Sequence, residues 1–157
     1  HTNDDIVTAL LFLDDIDEGN GALTVVPGSH KGPVLSLFDG DRFTGAVAAD
    51  EEKKALAQSV PCFGKAGSVC LMHTRLLHGS AANGSDKSRG LYICVYTAAD
   101  AVPVARNPMP SLNEGRIVRG TEAKFARLKE GLIELPKQPK TASFFTVIGQ
   151  DSKQAAE

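Results

Sequence analysis

Apolar positions in this chain come in short bursts divided by Gly, Pro and acidic residues, not in long helical stripes. Ile6 to Leu13 (IVTALLFL) is apolar on both faces and β-branched at its start, the pattern of a central strand. An acidic stretch over 14–21 follows and ends in Asn20-Gly21, a pair that takes up positive φ at little cost and marks a reversal. Further strands are predicted over 22–27, 67–73, 75–78 and 89–97, the second of the five stopped by Pro27-Gly28. In the last, Leu91, Ile93 and Val95 alternate with Tyr92, Cys94 and Tyr96, a clean period of two. Residues 31–59 read as an excursion, with Gly and Asp clustered at 38–41. Within it, a helix over 51–58 is predicted, capped by Asp50 and with acids in its first turn.

Beyond Pro103 the pattern changes. Pro103, Pro108 and Pro110 imply an extended crossing. A helix is predicted over 123–132, because Phe125, Leu128 and Leu132 fall at i, i+3 and i+7. A short apolar segment, 142–148, precedes a polar end expected to fray. The chain is therefore expected to be mainly antiparallel β: one domain over 1–157, with 103–157 an extension packed on it.

Composition narrows the function classes. At 157 residues and 42% hydrophobic content the chain can bury a core without disulfides. A net charge of −2 with no basic patch argues against nucleic acid, and no apolar run is long enough for a membrane span. The start, His1-Thr2-Asn3-Asp4-Asp5, is acidic where a secretory signal would be basic and lacks Met, so a fragment, a processed form or a trimmed chain without a secretory signal is expected. Three cysteines, an odd number with no C-x-x-C, predict neither a disulfide framework nor a cysteine zinc site, and the reducing cytoplasm is the expected location. Cys70 and Cys94, inside apolar runs, read as small core residues. The first 20 residues carry six acids and no Lys or Arg, while 103–140 carries eight Lys/Arg against four Glu. Exposed ion pairs contribute only about 0–1 kcal/mol, so these are expected to be two solvated faces of opposite sign. Asp14, Asp15 and Asp17 are likewise expected to form a solvated turn.

Among the histidines, His78 stands out: it is expected to close a strand before a small-residue loop, where a neutral imidazole can ligate a metal. Arg89 follows 11 positions later, at the start of the next strand. If those strands pair antiparallel, Arg89 returns beside His78, and the two suit a dicarboxylate that chelates the metal and takes a bidentate Arg pair. Ser80 can add a hydroxyl donor. His30 and His73 are expected to be structural, His30 anchoring its turn by hydrogen bonds; Asn83 is expected to cap a turn. Asp4 and Asp5 are candidates for the mouth of a cleft, and Tyr92 and Tyr96 share one strand face.

Read together, these words resemble a known family. Residues 20–32, Asn-Gly-Ala-Leu-Thr-Val-Val-Pro-Gly-Ser-His-Lys-Gly, are similar to the NG-x-L-x-V-x-PGSH-K-G stretch of the phytanoyl-CoA dioxygenase family. Residues 67–73, then Leu77-His78-Gly79-Ser80, Asn83 and Arg89, resemble that family's final metal-ligand segment, and Thr8 falls where the family has a Thr on a central strand. The resemblance covers about residues 1–100. It implies a double-stranded β-helix, or jelly roll, holding non-haem Fe(II) on two His and one carboxylate, with 2-oxoglutarate and O2 as cosubstrates and a small molecule as substrate. It implies His78 as a metal ligand, Arg89 as the 2-oxoglutarate clamp, and Ser80 and Thr8 as further cosubstrate contacts. The family's H-x-D motif is missing, since His1-Thr2-Asn3 has Asn where Asp is needed. The motif is expected upstream, and this chain alone is expected to bind Fe(II) poorly. An inactive or truncated binding module of the same fold is the alternative. A cupin-like enzyme that uses no 2-oxoglutarate is a third reading, disfavoured by Arg89.

Overall fold

A computed structural model of the chain describes residues 1–105, 107 and 110–130. The elements run β1 (Ile6–Phe12), β2 (Leu23–Val25), β3 (Phe38–Asp39), β4 (Arg42–Phe43), α1 (Ala49–Gln58), β5 (Val60–Pro61), β6 (Val69–His73), β7 (His78–Ser80) and β8 (Leu91–Thr97). Two three-stranded antiparallel sheets, ordered β6-β1-β8 and β5-β2-β7, make the jelly roll, and β3 and β4 form a small hairpin outside it.

β1 is central because it is apolar on both faces. Thr8, Leu10 and Phe12 point inward and are buried. Leu10 and Phe12 meet Met72 from the same sheet, Leu23 from the other, and Ile16 and Ala22 from the link between them. Burying side chains of this size contributes roughly 1.5–3 kcal/mol each, so this cluster is what binds the sheets. The link is more than a solvated turn. Asp14 Oδ2 accepts from Gly90 N at 2.7 Å, Asp15 Oδ1 from Ala66 N at 2.9 Å, and Asp17 Oδ1 from Gly19 N at 2.9 Å. Fully buried Asn20 crosslinks the link from inside, donating to Asp15 O and accepting from Asp17 N. Gly21 takes the left-handed conformation, φ 72°, and a Cβ there would lie 2.5 Å from Ala81 O.

Several expectations are corrected. The strand expected over 75–78 lies at 78–80, so His78 opens a strand where it was expected to close one. Residues 74–77 are turned because Leu76 N donates to His73 O and Arg75 N to the His73 ring. The helix α1 begins at Ala49, so Asp50 lies inside its first turn and makes no cap hydrogen bond. Cys94 lies opposite Ala9 on the outer face of its sheet; of the two expected core cysteines only Cys70 packs against the core cluster. Residues 123–130 form no helix, and Phe125 and Leu128 are exposed; Leu132 and the segment 142–148 lie outside the described residues.

That non-helical stretch is tied to the start of the chain. Lys129 N donates to Thr2 O, Arg127 N to Asp100 O, and the buried Asn3 amide to both Asp100 O and Arg127 O. Arg127 pairs with Asp100 and Asp5, and Lys129 and Arg75 both pair with Asp4. The acidic start and this basic segment therefore meet, where two separate solvated faces were expected. Arg127 holds the Asp100 carboxyl below its usual range. For Asp4, burial pushes upward, and hydrogen bonds from Lys129 and Arg75 outweigh it.

Candidate functional site

The inner face of the jelly roll is not closed along its whole width. On the β1 and β6 side it is buried, whereas Ile93 and Val95, inner-face residues of β8, are 57% and 56% exposed. β5 and β6 are joined by residues 62–68 along one edge, which leaves β7 and β8 as the strands at the other. That edge is open: β7 carries His78 and Ser80, and Arg89 lies two residues before β8.

His78 and Ser80 stand opposite Val25 and Leu23, two apart on β7, and so share the strand face that carries the core residue Leu23. Both are nevertheless exposed. The His78 Nδ1 lies 2.7 Å from Leu76 O. A carbonyl oxygen only accepts, so Nδ1 is the donor in this bond, and in the neutral ring Nε2 then keeps the lone pair. That is the state in which imidazole binds a metal, with its other nitrogen tied to a backbone carbonyl.

Arg89 was expected to return beside His78 on a neighbouring strand. It does not: β7 pairs with β2, while β8, which begins two residues after Arg89, pairs with β1, so the two strands belong to different sheets. They share only the open edge. Arg89 is half-buried and makes no hydrogen bond or ion pair among the described residues, while its neighbour Gly90 is fixed through Asp14 and Leu13. A guanidinium anchored at its backbone and unpaired at its head can grip an external carboxylate.

Thr8 is buried on the inner face, with Oγ1 2.9 Å from the Thr74 hydroxyl. Of two hydroxyls sharing one bond, the acceptor keeps its proton, so this pair retains one donor. Asn83 caps its turn as expected, accepting from Ser85 N and donating to Lys87 O. Asp4 and Asp5 line a shallow surface pocket of about 400 Å³ with His73 and Tyr96, but their carboxylates are engaged by Arg75, Lys129 and Arg127. Tyr92 and Tyr96 lie on the outer face and are exposed. His73 is structural: it stacks on His30 with ring centroids 5.0 Å apart and accepts from Arg75 N. His30 does not anchor its turn by hydrogen bonds, since its buried Nδ1 has no partner among the described residues. The anchor is Ser29, whose Oγ accepts from Leu77 N at 2.8 Å. Sequence reasoning missed Ser29, Thr74 and Arg75. The Ser in Pro27-Gly28-Ser29-His30 was visible, but its partner was not.

His78 is suited to one position on a metal. Among the described residues, no three His, Cys, Asp or Glu side chains come together into a metal-holding group, so the described residues do not complete a two-His, one-carboxylate set.

Comparison with known proteins follows the same residues. Residues 1–91 match the family described as Phytanoyl-CoA dioxygenase (PhyH). A Stutzerimonas stutzeri protein described as "Probable alpha-ketoglutarate-dependent hypophosphite dioxygenase" is 36% identical over 140 residues, 87% of this chain and 49% of that protein. The Homo sapiens peroxisomal phytanoyl-CoA dioxygenase is 32% identical over 105 residues, 62% of this chain and 30% of that one. The chain thus spans about half, or less, of the length of these relatives. Among solved structures, EctD from S. alaskensis with 2-oxoglutarate and 5-hydroxyectoine matches with a TM-score of 0.51 at 25% identity, covering 64% of this chain and 35% of that one. AviO1 from Streptomyces viridochromogenes Tue57 matches with a TM-score of 0.50 at 28% identity, covering 62% and 39%. With its PGSH-K-G turn, its jelly roll and more than half of its length matched, this chain belongs to the phytanoyl-CoA dioxygenase family.

Proposed function

We propose that this chain forms part of an Fe(II)- and 2-oxoglutarate-dependent dioxygenase of phytanoyl-CoA dioxygenase type that hydroxylates a small molecule. The observation that carries the reading is His78 at the open edge, its Nδ1 proton committed to Leu76 O and its Nε2 lone pair free. The reaction is R–H + 2-oxoglutarate + O2 → R–OH + succinate + CO2. Fe(II), when bound, supplies the activation of O2.

The chain's own residues bind and orient. His78 holds one metal position. Arg89 takes the far carboxylate of 2-oxoglutarate through two parallel charge-assisted bonds, Ser80 adds a hydroxyl donor, and the Thr8–Thr74 pair offers its remaining proton to a cosubstrate oxygen. A reducing, cytoplasmic setting agrees with three free cysteines.

The test is succinate formation from 2-oxoglutarate in the presence of Fe(II) by the whole protein of which this chain forms part, with hypophosphite and phytanoyl-CoA, the compounds in the relatives' names, offered as substrates. Replacing His78 by Ala should abolish turnover. Succinate formed at an undiminished rate by His78→Ala would refute the assignment.

A further inference from the structure

The hydrogen bonds around residues 76–78 join two features that the site description treats separately. Leu76 C=O and Leu77 N–H belong to one peptide unit, which is planar and rigid. Its oxygen accepts from His78 Nδ1 at 2.7 Å, and its N–H donates to Ser29 Oγ at 2.8 Å. The next carbonyl, Leu77 O, accepts from Val26 N at 2.9 Å. One peptide plane is thus held at its N–H end by the Pro27-Gly28-Ser29-His30 turn and holds the His78 ring at its C=O end. Donation by the N–H to a hydroxyl also polarises the same amide, which makes its oxygen a better acceptor.

The hold is two-sided. Arg75 reaches back to the same turn, donating to Gly32 O at 2.8 Å, while its guanidinium pairs with Asp4. The segment between β6 and β7 is therefore pinned to the 26–32 turn at Arg75 and at Leu77, on either side of the carbonyl that His78 uses.

We infer that Ser29 is a positioning residue for His78: by orienting the 76–77 peptide it fixes the imidazole as the Nδ1–H tautomer with the Nε2 lone pair facing out. Ser29 touches neither metal nor substrate and acts only through that peptide. The inference rests on the metal-ligand reading of His78 for its purpose, but the tautomer itself is a property of the metal-free protein. This gives the Ser-His of the turn a division of labour: Ser29 sets the peptide, and His30 packs on His73.

The experiment reads the ring directly. In uniformly 15N-labelled, metal-free protein, at a pH where the ring is neutral, long-range proton–nitrogen correlation separates the two tautomers; His78→Gln assigns the signal. The unsubstituted chain should show His78 as a single Nδ1–H tautomer. Ser29→Ala should give a mixture with a substantial Nε2–H population, and Ser29→Thr, which keeps the oxygen, should restore the single form. Ser29→Cys, with a weak sulfur acceptor, should fall between and serves if Ser29→Ala fails to fold. The His73 signal should stay where it is, which a general loosening would not allow.

A second arm uses Mn(II) alone, added to the whole protein of which this chain is proposed to form part. Its paramagnetic broadening of the His78 signal should require about 10–100-fold more metal in Ser29→Ala, the usual loss when a partner behind a ligand is removed. An unchanged His78 tautomer in folded Ser29→Ala overturns the inference. If the tautomer shifts as expected but Mn(II) broadens His78 in neither protein, the positioning role stands and the metal reading of His78 falls.

Discussion

Two neighbouring regions of the molecule treat charge in opposite ways. Where residues 2–5 meet 127–129, Asp4, Asp5 and Asp100 are each answered from within the chain by Arg75, Arg127 and Lys129. At the open edge Arg89 is half-buried without an acid partner among the described residues, and His78 and Ser80 are exposed. Arg75, three residues before His78, belongs to the first arrangement and pins the start of the second. The difference separates a lock from a socket. A half-buried guanidinium gives up part of its hydration, and with no acid partner among the described residues its head is available to an anion from outside.

The sharpest way to break that contrast is at Arg89. Arg89→Lys keeps the charge and loses the planar fork. A hydrogen bond to a charged group contributes roughly 1.5–3 kcal/mol, so 2-oxoglutarate affinity measured by calorimetry should fall about 10- to 150-fold. Stability to urea should stay within about 0.5 kcal/mol, as for surface changes generally. Unchanged affinity would place the clamp elsewhere. The mirror experiment is Asn3→Ala. It removes the amide that donates to Asp100 O and Arg127 O and accepts from Asp5 N. The expected cost is about 1–3 kcal/mol in urea unfolding, with 2-oxoglutarate binding by the folded protein unchanged. A variant that lost binding while keeping stability would erase the distinction between the two regions.

Both regions were legible in the sequence to different depths. β8 announced itself by a two-residue period and β1 by a short apolar run with β-branched residues at its start, both properties of the strand alone, and the Asn20-Gly21 reversal because positive φ selects its residues. The helix expected over 123–132 failed for an identifiable reason. Its apolar spacing is helical, but the backbone N–H groups of Arg127 and Lys129, two apart, bond outward to Asp100 O and Thr2 O. Those long-range partners override a local period. His78, Ser80 and Arg89 were found as residue types in order, yet the expected hairpin between them was wrong, because consecutive strands here go to different sheets. Ser29 was invisible as a functional residue, since its role lies in a peptide N–H, which every residue but proline has.

A smaller effect is expected at Ser80. Its hydroxyl offers one bond from a neutral group, worth about 0.5–1.5 kcal/mol, so Ser80→Ala should weaken 2-oxoglutarate binding less than Arg89→Lys does. The change should appear in the affinity for 2-oxoglutarate and not in that for the substrate to be oxidised. Equal losses from Ser80→Ala and Arg89→Lys would mean that the site reads the cosubstrate by shape and not by charge.

The smallest effect is one of pH, and it touches only the lock. Asp100 is held below its ordinary value of 3.8, first by the hydrogen bond from Arg127. A carboxyl with a depressed folded-state pKa stabilises the fold fully above its unfolded value and loses that contribution as pH falls through the folded one. Acidification from pH 7 to about 4 should therefore change this contribution little, and further acidification should remove it. Asp100→Asn never has the contribution, so its urea midpoint should lie below that of the unsubstituted chain at pH 7 and converge with it in strong acid. The pair is exposed, so 1 M salt should narrow the gap at pH 7 as well. Arg89→Lys, at a position that pairs with no carboxylate among the described residues, should show no such convergence. A gap between Asp100→Asn and the unsubstituted chain that stayed constant from pH 7 to pH 2 would show that Asp100 acts through its backbone carbonyl, which Asn3 and Arg127 N also grip, and not through its charge.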